Sequence, residues 1–142
     1  MKSKILCPVD GSEGSLRAVR HAADMGARLI EVEVHLVNVQ PPGDDWMVRR
    51  MIKAAELEKM EREWAESALA PARAILKERG VKHVEHFQQG EVAKTIARLA
   101  KELGCQQIVM GTRGMSALGD LLMGSVATKV LHQATVPVTL VK

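Results

Sequence analysis

Residues 3–28 read SKILCPVDGSEGSLRAVRHAADMGAR, and the change of pattern inside that stretch decides the fold. Residues 3 to 9 form a short apolar run suited to a strand buried on both faces, as in a parallel sheet. DGSEGS then supplies turn and cap residues, after which Leu16, Val19, Ala23 and Ala27 recur at helical spacing. A buried strand that passes through a polar turn into a helix is the opening of an α/β chain.

The rest of the chain repeats that alternation. Residues 31–39, EVEVHLVNV, read as a second strand because Val32, Val34, Val37 and Val39 are β-branched. PPGDD at 41–45 is a loop. From Trp46 to Arg79 the sequence is helix-forming, with Leu57, Met60, Trp64, Ala68 and Ile75 along one face. Pro71 is expected to kink or split it, since it removes a donor and crowds the Ser67 carbonyl at a cost of about 3 kcal/mol. Residues 83–89 predict a polar strand, 91–103 an amphipathic helix and 106–110 a strand. The glycine-bearing segment GTRGMSALGDLLMGS at 111–125 follows, then a helix from Gly124 to about Gln133 and a last strand, VPVTLV, at 136–141. The alternation predicts an open five-stranded parallel α/β sheet with helices on both faces, in one domain spanning residues 1–142.

Composition narrows the function classes. The 142 residues are 46% hydrophobic and 26% charged, enough for a core that needs neither disulfides nor a structural metal. Net charge is +3, without a cluster of Lys and Arg, and aromatics are only Phe87, Trp46 and Trp64, so neither charge nor stacking suggests nucleic-acid binding. No apolar run approaches the roughly 18 residues of a membrane span, and the run after Lys4 is too short for a signal-peptide core. No membrane association and a cytoplasmic location are expected. Cys7 and Cys105 lack C-x-x-C spacing and read as buried free thiols whose bridging is geometrically disfavoured.

In open α/β sheets a ligand binds beyond the carboxyl ends of the strands, where strand order reverses. Two segments supply material there. In CPVDGSEGS, Pro8 cannot donate to a neighbouring strand and Asp10 is delivered just past the sheet. Asp10 has a second reading, an Asx turn or cap for the first helix. In the other segment, Gly111, Gly114 and the Gly124-Ser125 pair combine close backbone approach with the free amides of a helix start, which is phosphate-binding architecture. Glycines after a strand also serve plain turns. No G-K-[ST] follows, which excludes a Walker-type site, and DGSEGS is not a dinucleotide fingerprint. Arg113, between two glycines, could reach a phosphate or stand in solvent. His83 and His86 lie an odd number apart on a strand and so on opposite faces, which argues against joint metal ligation. His21, His35 and His132 read as ordinary surface or half-buried histidines.

The spacing G-x-x-G, nine residues, G-[ST], carried by Gly111, Gly114, Gly124 and Ser125, together with CPVDGSEGSLRAVRHA, resembles the ATP-binding branch of the universal stress protein family. The resemblance covers the whole chain, including Pro8, Asp10 and Ser12 at the end of the first strand. It implies the sheet order 3-2-1-4-5, with ATP over the carboxyl ends of strands one and four. The phosphates and ribose would meet Gly111, Gly114, Gly124, Ser125 and Val126, adenine would lie near Pro8, Val39 and Met110, and Val9 and Arg113 would be among the other nucleotide-binding residues. Asp10 would stand beside the nucleotide, through the ribose or a Mg²⁺ ion.

The function this implies is a nucleotide-dependent stress-response or signalling module acting on a protein partner that the sequence does not identify. Three rivals remain. One is a slow ATPase or phosphotransferase using Asp10, Mg²⁺ and Arg113; another is a flavin module, disfavoured by the scarcity of aromatics; the last is a ligand-independent interaction module. In the implied order, the third strand is a polar edge. The fifth, with Val136, Val138, Leu140 and Val141, is an apolar one, so a homodimer through residues 136–141 is expected, with the Val141 backbone N–H serving the partner strand.

Overall fold

The computed structural model describes residues 2–28, 31–42, 51–112 and 123–142. Five strands, β1 (Ser3–Pro8), β2 (Val32–Gln40), β3 (His83–Gln89), β4 (Gln107–Gly111) and β5 (Val138–Val141), form one sheet in the order β3-β2-β1-β4-β5. Every pairing is parallel. Four helices connect them: α1 (Glu13–Arg28), α2 (Ala54–Glu78), α3 (Val92–Glu102) and α4 (Ser125–Gln133).

The period-2 alternation of the strands divides the core into two layers. Ile5 and Cys7 on one side of β1, with Val9 just past its end, join Val34 and Leu36 of β2 beneath Ala18, Val19 and Ala22 of α1 and Leu69, Ala72 and Leu76 of α2. On the opposite face Leu6, Val37, Ile108 and Met110 pack against Ile96, Leu99 and Ala100 of α3 and Ala127 and Val130 of α4. This places helices on both faces, as the alternation requires. Both thiols are free and buried, one in each layer.

Three expectations are corrected. First, of the kink or split expected at Pro71 the split does not occur, since α2 runs as one helix through it. Buried Ala68 and Leu69 before the proline and Ala72 and Leu76 after it seat both halves on the same sheet face, which offsets the lost backbone bond. Secondly, that buried stripe is not centred on Trp64, which is 55% exposed. The alanines let the helix axis come close to the sheet, a position an indole would prop open. Thirdly, β5 begins at Val138. Pro137 precedes it and only its carbonyl joins the ladder, accepting the Ile108 N–H at 2.9 Å. The part of the expected second helix from 46 to 50 lies outside the described residues.

Candidate functional site

β1 stops because Pro8 has no N–H to give. The Val9 N–H still bonds the Val37 carbonyl at 2.8 Å, but the Val9 carbonyl leaves the ladder and accepts the Asn38 side-chain Nδ2 at 2.8 Å. The chain then turns. Gly11 sits at φ +85°, in the left-handed region, and Asp10 Oδ1 accepts the Ser12 N–H at 2.9 Å. Asp10 therefore makes the Asx turn that one of its two readings required. Ser12 Oγ accepts the Ser15 N–H at 3.2 Å, and Ser15 Oγ donates to the Ser12 carbonyl at 2.9 Å, so α1 is capped by its own first turn.

The opposite wall rises from β4. Gly111 lies so close to α1 that a Cβ there would be 2.7 Å from the Gly14 carbonyl oxygen. Its lack of a side chain is thus spent on strand-to-helix packing. Thr112 donates its N–H to the Val141 carbonyl at 3.2 Å, and its own carbonyl accepts the Gly124 N–H. That bond draws the start of α4 up to the end of β4. Gly124 is the N-cap, at φ −74° and ψ 165°, and its carbonyl receives both the N–H and the hydroxyl of Thr128, at 3.1 and 3.0 Å. The amides of Ser125, Val126 and Ala127 precede Thr128, the first intrahelical donor, and point out of the helix end.

Between these walls lies a cleft of about 480 Å³, at the reversal of strand order between β1 and β4. Pro8, Val9 and Asp10 come from the end of β1, Val39 from β2, Met110 and Gly111 from β4, and Gly124, Ser125 and Val126 from the start of α4. Nine of the residues singled out in the sequence are thus brought together. Arg113 and Gly114 lie outside the described residues. The lining also includes Pro41, Thr112, and Val92 and Ile96 of α3. Sequence reasoning missed Val92 and Ile96 because an apolar residue on an amphipathic helix carries the same signal whether it faces a core or a ligand.

The cleft's size falls within the range of small-molecule sites. Its floor is apolar at Pro8, Val39 and Met110. The lining offers helix amides and the Ser125 hydroxyl, a ready anion site, together with Asp10, its one carboxylate among the described residues. A flat, weakly polar ring with a polyanionic tail fits these donors. Asp10 beside such a tail also suits Mg²⁺, which takes one or two protein carboxylates together with phosphate oxygens.

His83 and His86 do not converge. His83 Nε2 lies 3.0 Å from Glu85 Oε2, whereas His86 Nε2 lies 2.8 Å from His35 Nδ1. His35 itself is only 5% exposed and its Nε2 lies 2.8 Å from Glu33 Oε1, so reading it as an ordinary surface or half-buried histidine is also corrected. Its neighbour His86 is remote in sequence, and no local pattern announces the pair. Among the described residues no group of three or more His, Cys, Asp or Glu is placed to hold a metal ion. Burial pushes the Cys7 thiol far above its ordinary range and Cys105 up to about 11, which leaves both protonated and unreactive.

The pattern that defines the universal stress protein family matches residues 1–142. A universal stress protein of Thermus aquaticus is 34% identical over 147 residues, covering 100% of both chains. The solved structure of the hypothetical protein MJ0577 superposes with a TM-score of 0.85 at 29% identity, covering 100% of this chain and 96% of the other. A universal stress protein from Archaeoglobus fulgidus, solved in complex with dAMP, superposes at 0.72 with 27% identity over 100% and 98% of the two chains.

Proposed function

The chain belongs to the universal stress protein family, and from that premise we propose that it binds an adenine nucleotide, ATP in the first instance, in the cleft between β1 and β4. One observation carries the reading: apolar floor, Asp10 and the open amides of α4 share a single cleft at the point where strand order reverses. The dAMP complex of the Archaeoglobus fulgidus relative supports the adenine part.

The phosphates would lie on the amides of Ser125 and Val126 with the Ser125 hydroxyl, and Asp10 would hold a Mg²⁺ ion that offsets their charge. The base would rest on Pro8, Val39 and Met110. Backbone direction supports that placing. Residues of β2 alternate, with Val34 and Gln40 bonded toward β3 and Val37 toward β1. The N–H and C=O of Val39 therefore face the β1 side, past the last β1 pair, where a base edge presenting one acceptor and one donor could take them.

No residue of the cleft need act as a base for this role, and we read the protein as a nucleotide-dependent module in the cytoplasm. The described residues contain no helix long and apolar enough to cross a membrane. Acid extraction of the purified protein with identification of the released nucleotide, followed by calorimetry on the emptied protein, tests the proposal. Absence of any adenine-nucleotide binding at millimolar ligand would overturn it.

A further inference from the structure

A chain of side-chain hydrogen bonds lies beneath the cleft, on the sheet face covered by α2. Gln40 Nε2 donates to the Glu61 carbonyl of α2 at 3.1 Å and to Asn38 Oδ1 at 3.0 Å. Asn38 Nδ2 in turn donates to the Val9 carbonyl at 2.8 Å. Asn38 is only 6% exposed. A buried amide is costly unless its groups are satisfied, and here both ends of it are used.

What the chain does follows from the ladder it replaces. In a continuing parallel pair the Val9 carbonyl would accept the N–H of Val39, two residues beyond Val37, whose carbonyl Val9 already bonds. The Asn38 amide takes that carbonyl instead, on the α2 face. Among the described residues no backbone bond from the Val39 N–H to Val9 forms, and the notch beside Val39 opens into the cleft.

We infer that Asn38, braced by Gln40 and Glu61, is the positioning residue that sets base specificity: it holds the Val9 carbonyl away from Val39 and so keeps the Val39 N–H and C=O available to a base edge. This rests on the nucleotide reading above and deepens it. Adenine offers an acceptor at N1 beside a donor at N6, which matches an N–H and a C=O on one strand residue. Hypoxanthine offers the reverse at the same atoms and would leave both protein groups facing their own kind. Asn38 thus acts on which base is held and not on the phosphates, which belong to α4 on the far side of the cleft.

The test compares ATP, ITP and inorganic tripolyphosphate by calorimetry on the emptied protein, with and without Asn38→Leu. The parent should prefer ATP over ITP by about tenfold or more, and the variant should lose most of that preference while tripolyphosphate affinity stays within a few-fold. Equal loss for all three ligands would mean a purely structural role and would overturn the inference, as would an unchanged preference. A parent that binds no adenine nucleotide would instead bring down the nucleotide reading itself. Amide exchange across residues 9–15 of the ligand-free proteins separates the two failures, since Asn38→Leu should speed it whether or not a nucleotide binds; unaltered exchange there overturns the positioning role. Should Asn38→Leu fail to fold by circular dichroism, Gln40→Met removes the brace while leaving Asn38 in place, and should shift the ATP-to-ITP preference in the same direction.

Discussion

His35 and His86 face each other across β2 and β3 with Nδ1 and Nε2 2.8 Å apart and their rings stacked, centroids separated by 5.1 Å and planes by 14°. The proton count of this contact is constrained. Glu33 accepts from His35 Nε2, so a neutral His35 presents an unprotonated Nδ1, and His86 must donate from Nε2. One extra proton can be shared, but two would place N–H against N–H.

Burial and the neighbouring His35 hold His86 below its ordinary value of 6.5. The unfolded chain therefore takes up this proton first as pH falls. The stability contributed by a neutral His86 is complete above about 6.5 and is lost as pH drops through its lowered folded value. Thermal unfolding at about pH 7.5 and about pH 5.5 should show the parent losing more melting temperature than His86→Gln. The interval stays above the range of Glu33, held below 4.5 chiefly by its bond to His35. Equal losses in the two proteins would remove the pair as the cause.

Arg73 clamps α2 to the edge strand β3. Its guanidinium meets both oxygens of Glu85 at 2.7 Å and both of Glu66 at 2.7 and 2.8 Å. Arg73 and Glu85 are each about one-quarter exposed, so the fork to Glu85 outweighs that to the more exposed Glu66. Arg73→Met should destabilise by about 1–2 kcal/mol in urea titration, and Glu66→Gln by well under 1 kcal/mol. The reverse ranking would show that the exposed carboxylate carries the clamp.

Gly111→Ala should destabilise by about 1–3 kcal/mol, because the new Cβ would press on backbone and not on a flexible side chain. Gly80 is the control. It has open space around it but a φ of +67°, so Gly80→Asn should be nearly neutral. The urea midpoint should therefore fall for Gly111→Ala and stay near the parent's for Gly80→Asn, although each variant removes one glycine.

Gly124→Val should abolish nucleotide binding with the fold retained. The backbone at Gly124 is ordinary extended geometry, so valine is conformationally allowed, while its branched side chain would crowd the phosphate position. Lys129, a turn into α4, should tolerate Ala with affinity changed by no more than a few-fold. Calorimetry on both variants checks the pair, and a Gly124→Val protein that binds like the parent moves the phosphates elsewhere.

The proposed homodimer through β5 is tested at a residue other than the sequence suggested. Ile108 bonds Pro137 and Thr112 bonds Val141, so odd-numbered residues of β5 direct their backbone groups at β4. The Val141 N–H is thus turned toward β4, and Leu140 directs its N–H to the side of β5 that no strand pairs among the described residues. Sedimentation should show a dimer at micromolar concentration that Leu140→Pro weakens. A monomeric parent ends the proposal.

Much of this protein was legible in one dimension. The apolar run at 3–9, the β-branched run at 32–39 and the helical repeat at 92–103 are local patterns, because burial on a strand or a helix imposes its period on the chain itself. Pro8, Asp10, Gly124 and Ser125 were marked by turn and glycine patterns at the ends of strands, whereas the strand order and the places of Val39 and Met110 came from a resemblance in motif, which carries a family's three-dimensional solution without deriving it. Tertiary structure alone decided the rest. That Gly111 serves Gly14, that Asn38 captures the Val9 carbonyl, that His35 meets His86 and that the backbone N–H of Leu140 rather than that of Val141 points away from β4 all depend on register between strands distant in sequence. Register is fixed by the packing of whole elements, and a slip of one residue reverses both side-chain face and backbone direction.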